Sequence, residues 1–146
     1  MAGYRLHNRL GYRVSRLARL MQARHEAALP KGLTRLGATV LAGLGDEGVT
    51  TPSDLAAYVG ITRPAMSRLL KGLEGKGLIA RAPAGSDGRQ TEVALTDAGL
   101  GALAQVRVAS DALQAHFAAK LSPDDLTHLT RTLARLAEGE PDPTDF

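Results

Sequence analysis

The chain has no cysteine and no tryptophan, and aromatic side chains make up only 3% of its 146 residues. The first absence excludes disulfides and thiol chemistry, and removes any argument for an oxidising compartment. The second leaves a core to be built from Leu, Ala and Val, which suits packed helices better than a sandwich of sheets. Long apolar runs are missing too. None approaches the roughly 18 residues of a membrane span, and the N-terminus lacks the apolar stretch of a signal peptide, so a cytoplasmic, nucleoid-associated protein is expected. No G-x-G-x-x-G follows a strand, and neither G-K-[ST] nor G-x-S-x-G occurs. The histidines His7, His25, His116 and His128 stand far apart without metal-ligand spacing. No enzyme, cofactor or metal site is expected.

What the chain does have is charge, unevenly spread. The formal net charge is +3, yet residues 1–35 carry eight of the 18 basic groups and one acid, residues 60–90 carry six basic groups and two acids, and residues 91–146 carry four basic groups and nine acids. A basic front and centre with an acidic end suits a protein that turns one surface toward phosphate. The length predicts one domain with a real core.

The stretch from Pro52 to Leu95 organises the rest. Thr51 caps a short helix, Pro52 takes its first position and Asp54 completes a T-x-x-D box. Leu55, Ala56 and Val59 give it one apolar side, and Gly60 permits the left-handed turn that ends it. Thr62 then caps a second helix whose buried face is Met66, Leu69, Leu70 and Leu73, at i, i+3, i+4 and i+7. Arg63, Pro64, Ala65, Ser67, Arg68 and Lys71 point elsewhere. Two helices joined at a glycine turn, the second with small and basic residues on its outer half, match a helix-turn-helix that sets a recognition helix in the major groove. Arg donates twice to guanine, Ser meets a base or phosphate, and Ala or Pro meets a thymine methyl. Leu78 to Ala82 and Gln90 to Leu95 read as two strands, with Asp87 and Gly88 as the turn between them. Arg89 leaves that tip, where the negative potential of a narrow minor groove attracts it. The reading is a winged helix-turn-helix.

The run GLIARAPAGSDGRQTEVALTDAG, preceded by ITRPAMSRLLKGLE, resembles the MarR family of bacterial transcriptional regulators, in which an Asp-x-Arg wing precedes a Leu-Thr-x-x-Gly helix start. Here these are Asp87, Gly88 and Arg89, then Leu95, Thr96, Asp97, Ala98 and Gly99. The resemblance covers about a third of the chain. It implies a homodimer on a pseudo-palindromic operator, Arg89 in the minor groove steadied by Asp87, and release of DNA on binding a small molecule. The family's oxidation-sensing route needs a thiol that this chain lacks.

Helical arms flank the reader. From Tyr4 to Leu29, Leu6, Leu10, Val14, Leu17 and Met21 recur at helical spacing beside a stripe of Arg5, Arg9, Arg13, Arg16 and Arg19. A membrane-surface helix or a transit peptide has the same composition, but the downstream reader favours a dimerisation arm. Pro30 and Gly32 break the helix, and Leu33 to Leu44 resumes it as scaffolding, with Val49 and Thr50 a candidate third strand. Thr96 caps a helix running to about Lys120, offering Leu100, Leu103, Ala104, Leu113 and Phe117 for burial. Ser122 and Pro123 open a last helix whose Leu126, Leu129, Leu133 and Leu136 form the seam of a helix pair. An exposed leucine seam is a liability on a monomer.

The resulting expectation is a mostly α fold with a small β-hairpin wing. It is a single domain over residues 1–146, with dimerisation arms at 4–31 and 97–138, the winged helix-turn-helix at 33–96 and a disordered acidic tail at 139–146. The candidate DNA-binding residues are Thr62, Arg63, Pro64, Ala65, Ser67, Arg68, Lys71, Asp87 and Arg89. Dimerisation falls to Leu6, Leu10, Leu126, Leu129, Leu133 and Leu136. Leu17, Met21, His25 and Phe117 are candidates to line an effector pocket for a small aromatic or anionic molecule. The function expected is a homodimeric, sequence-specific regulator of double-stranded DNA, a repressor relieved by that effector. The alternative is a winged-helix module that compacts DNA or joins partners without sequence preference.

Overall fold

The structure, a computed structural model, describes residues 5–84 and 90–141. Six helices and one antiparallel hairpin follow in the order α1 (Leu10–Ala28), α2 (Arg35–Gly45), α3 (Pro52–Val59), α4 (Arg63–Gly75), β1 (Ile79–Ala84), β2 (Gln90–Leu95), α5 (Asp97–Ala118) and α6 (Pro123–Ala137). A mostly helical winged helix is what the patterning predicts.

Each helix of the reader starts where its side chains can cap it. Thr34, Thr51, Thr62 and Thr96 all stand in extended backbone and accept from the amide three residues on, as does Ser122 before α6. At Thr51 the expected box takes a variant form. The hydroxyl accepts from the Asp54 amide at 3.1 Å and donates to its carboxylate at 2.7 Å. Gly60, at φ +76°, ends α3 and makes the sharp turn into α4.

Helix α2 lies centrally, against α3, α4, α5 and β2. Its Val40 and Leu41 are fully buried with Leu55 of α3, Met66 and Leu70 of α4, Val93 of β2 and Leu103 of α5. In α4, Met66, Leu70 and Leu73 are buried and Leu69 is half-buried, which fixes the opposite face outward. Burying these side chains is worth about 1.5–3 kcal/mol each, enough to outweigh about 1 kcal/mol for the interior glycine, Gly72; Gly75 is the last residue of the helix. In the hairpin, Ile79 pairs with Leu95 and Arg81 with Val93.

Helix α5 belongs to both the reader and the arms. Its first turn presses on the link between α4 and β1. The Thr96 amide donates to the Leu78 carbonyl at 3.1 Å, and the Thr96 hydroxyl donates to the Gly77 carbonyl. At Gly99 a Cβ would lie 1.9 Å from the Leu78 oxygen, so only glycine fits this contact. Further along, Arg107 Nε donates to Asp46 Oδ1 at 2.9 Å, tying α5 to the end of α2.

Four expectations are corrected. The N-terminal helix is not continuous from Tyr4. Leu6–Asn8 form a 3-10 turn, Arg9 is extended, and α1 begins at Leu10. Asn8 Oδ1 accepts from the Arg13 side chain across this break at 3.3 Å. Val49 and Thr50 form no third strand. One bond, from the Val93 amide to the Thr50 carbonyl at 2.8 Å, is made before Thr51 and Pro52 turn the chain into α3. Strand β1 runs two residues past Ala82. On α5, Leu100 and Ala104 are exposed, and Val106 and Ala109 are buried with Leu103 in their place. That helix is apolar nearly all round, so its pattern selects no single face.

Candidate nucleic-acid interface

The outer side of α4 carries the residues that sequence assigns to DNA. Thr62 caps the helix at its N-terminus. Arg63, Pro64, Ser67, Arg68 and Lys71 are exposed, and Ala65 is half-buried. Among the described residues, Arg63, Arg68 and Lys71 make no ion pair. The small residues at 64, 65 and 67 leave the helix backbone close to its own surface, as entry into a groove requires. Asp87 and Arg89 lie outside the described residues.

Beside this helix is an open cleft of about 520 Å³ that sequence reasoning missed. Arg63 and Ser67 of α4 form one wall, Thr51, Pro52, Ser53 and Asp54 at the start of α3 form the second, and Arg81 and Thr91 of the hairpin form the third. Hydroxyls and an Arg pair are groups that meet phosphate oxygens. Among the described residues, Asp54 is the one acid in the lining, and its carboxylate accepts from Thr51. Arg81 donates through Nε to Glu74 of α4 at 3.2 Å. The alternation of β1 was the available signal, since it puts Arg81 on the same side as buried Ile79. No local pattern in the sequence brings the start of α3 against them.

The arms stand apart from this core. Neither α1 nor α6 buries a residue. Leu6, Leu10, Leu129, Leu133 and Leu136 are exposed, Leu10 by 60%, and Leu126 is half-buried. No described helix is long and apolar enough to cross a membrane.

The four candidate pocket residues lie where α1 meets α5. Leu17 is exposed, while Met21, His25 and Phe117 are half-buried. His25 Nε2 and Ser110 Oγ hydrogen-bond at 3.1 Å, and Phe117 meets His116 edge to face at 5.0 Å. Burial, and then the nearby Arg24 and Lys120, hold the His116 pKa below its ordinary value. Two hollows open along the same pair of helices, of about 360 and 440 Å³. Their walls are mainly alanines, Ala28, Ala109 and Ala112 being common to both, with Arg24 at the edge of the smaller. None of the four candidates lines either hollow.

Residues 31–90 match the model of the MarR family. Over 95 residues the chain is 36% identical to an HTH-type transcriptional regulator of Mycobacterium tuberculosis, a match covering 65% of this chain and 64% of that protein. The chain thus spans just under two thirds of the length of that relative. Among solved structures, the transcriptional repressor CouR bound to a 23-mer DNA duplex superimposes with a TM-score of 0.82 at 29% identity, over 91% of this chain and 95% of that one. The PcaV transcriptional regulator of Streptomyces coelicolor, in complex with its natural ligand, gives a TM-score of 0.82 over 95% of this chain and 99% of that one. Its 23% identity is a likeness of fold.

Proposed function

Residues 31–90 match the model of the MarR family, and from that match we propose that the protein is a MarR family transcriptional regulator, a homodimer binding a pseudo-palindromic operator as a repressor relieved by a small molecule. The observation that carries the DNA reading is the outer face of α4. Pro64, Arg68 and Lys71 reach solvent on the side opposite Met66, Leu70 and Leu73, and Arg63 and Ser67 are exposed on its flank. The DNA-bound CouR structure supports this assignment by its likeness. Arg63, Arg68 and Lys71 supply donors for bases and phosphates, and Arg89 enters the minor groove with Asp87 holding it.

The dimer reading rests on the exposed leucines of the 3-10 turn, α1 and α6. Two such faces cover each other in a two-fold pair and carry two recognition helices at about one helical turn, roughly 10 bp, apart. The effector reading rests on the hollows between α1 and α5, whose alanine walls with Arg24 at the edge suit a small aromatic acid. Such a ligand releases DNA only if it prefers an arrangement of the two readers that the operator does not.

Selection from a random DNA pool at near-physiological salt, followed by sequencing of the retained fraction, tests this. An enriched inverted repeat is expected. Retention without enrichment would favour the architectural module instead. Salicylate-like anions are expected to raise the melting temperature and lower operator affinity, and no change in either would remove the aromatic-acid reading.

A further inference from the structure

Arg81 is absent from the residues that the sequence assigns to DNA, yet it stands at the mouth of the reader. On β1 it lies two residues beyond buried Ile79 and opposite buried Val93, so the pleat directs it toward α4. There its Nε donates to Glu74 Oε2 at 3.2 Å, with the two side chains 26% and 45% exposed. Arg81 also forms part of the cleft that Arg63 and Ser67 share with the first turn of α3. Glu74 lies about three turns along α4 from Arg63, on the same side of the helix.

We propose that Arg81 grips a backbone phosphate of DNA in this cleft and that Glu74 is the positioning residue that aims it. The inference rests on the DNA-binding reading above. A guanidinium carries five N–H donors in a rigid fork. Glu74 takes the one at Nε, and among the described residues the Nη hydrogens have no acceptor. They are the pair geometry that phosphate accepts. Ser53 and Ser67 line the same space with hydroxyls, the usual company of a phosphate contact, while the Thr51 hydroxyl donates to Asp54. A long side chain already held by a carboxylate loses less freedom when DNA arrives. As a stabilising ion pair the two residues count for little, because both remain partly in water. Their geometry matters for what the free edge of the guanidinium meets.

The test measures binding of the full chain to its selected operator and to a random duplex over a range of salt. Arg81→Ala is expected to weaken both roughly tenfold and to reduce the magnitude of the slope of log K against log salt by about 0.9, the release of one phosphate's counterions. Glu74→Gln keeps an acceptor for Nε and is expected to bind like the native chain. Glu74→Ala is expected to lose several-fold in the native background and nothing further beside Arg81→Ala. An Arg81→Ala protein that melts normally and keeps native affinity and slope would overturn the contact. Glu74→Ala tightening both backgrounds by one factor would overturn the positioning role and make Glu74 a simple repulsive charge. If Arg81→Ala does not fold, Arg81→Lys decides. Full slope with reduced affinity upholds the fork geometry, and native affinity refutes it. A native chain that binds no DNA would sink the reader itself, whereas native binding with an indifferent Arg81 sinks only this inference.

Discussion

The reader and the arms treat the same residue type in opposite ways. Leu41, Leu55, Leu70 and Leu103 are closed off from water by neighbours in their own chain, while Leu10, Leu129, Leu133 and Leu136 stay in it. Both sets repeat at helical spacing, so periodicity alone does not separate a finished core from an unfinished one. A region that completes its own core has a stability set by its sequence. A region that leaves its leucines uncovered has a stability set by what it meets, and so by concentration.

The largest test of that contrast removes the uncovered face. Leu129→Glu combined with Leu133→Glu is expected to reduce the solution mass to that of one 15.3 kDa chain, measured by light scattering. Operator affinity should then fall by about 10²–10⁴-fold, because two half-sites no longer share an effective concentration. The melting temperature of the native protein should rise with concentration and that of the variant should not. An unchanged mass would break the comparison, making the seam a solvated face. Next in size is the covered leucine. Leu70→Ala is expected to cost about 2–5 kcal/mol in chemical denaturation, by the same amount whatever the protein concentration. A concentration-dependent loss would show that the reader also needs its partner.

Within the reader, Arg68→Ala sharpens the picture further. A base contact predicts a loss of about 1–3 kcal/mol on the operator with relaxed preference at one position. Equal loss on operator and random DNA would make Arg68 a phosphate contact. The smallest expected effect lies within the arms, at His116 on the last turn of α5. Its folded pKa is held below the ordinary 6.5, first by burial and then by Arg24 and Lys120. The unfolded chain therefore takes up the proton first as pH falls, so stability is complete above that value and declines below it. A melting series from neutral to mildly acid pH should show this decline, and His116→Gln should flatten it.

The sequence was most legible where a local rule acts alone. Thr51, Thr62, Thr96 and Ser122 announce helix starts, Gly60 announces the turn, and the Met66, Leu70, Leu73 stripe orients α4 without outside help. It was least legible where the deciding atoms come from elsewhere in the chain. The exposure of Leu100 and the burial of Val106 depend on which side of a helix with apolar residues on several faces meets α2. The Arg81 cleft depends on α3, α4 and the hairpin meeting at one point, and no short window of sequence contains all three. The break before Leu10 is a change of backbone conformation at Arg9 that no apolar periodicity encodes. Asp87 and Arg89 lie outside the described residues, so their part of the interface rests on the Asp-x-Arg pattern alone.

The close contact at Gly99 makes α5 a lever with its fulcrum at the exit of the recognition helix. From Gly99 to Ala118 the helix reaches about 28 Å, so a tilt of roughly 5° at the near end appears as a 2–3 Å displacement at the far one. Run in reverse, an Ångström-scale push beside His116 arrives at Leu78 as a small rotation applied directly to backbone, with no side chain between to cushion it. On the proposed function, a ligand or partner that leans on the arms is therefore geared down onto the helix assigned to DNA, and the methyl group of an alanine at position 99 jams the gearing.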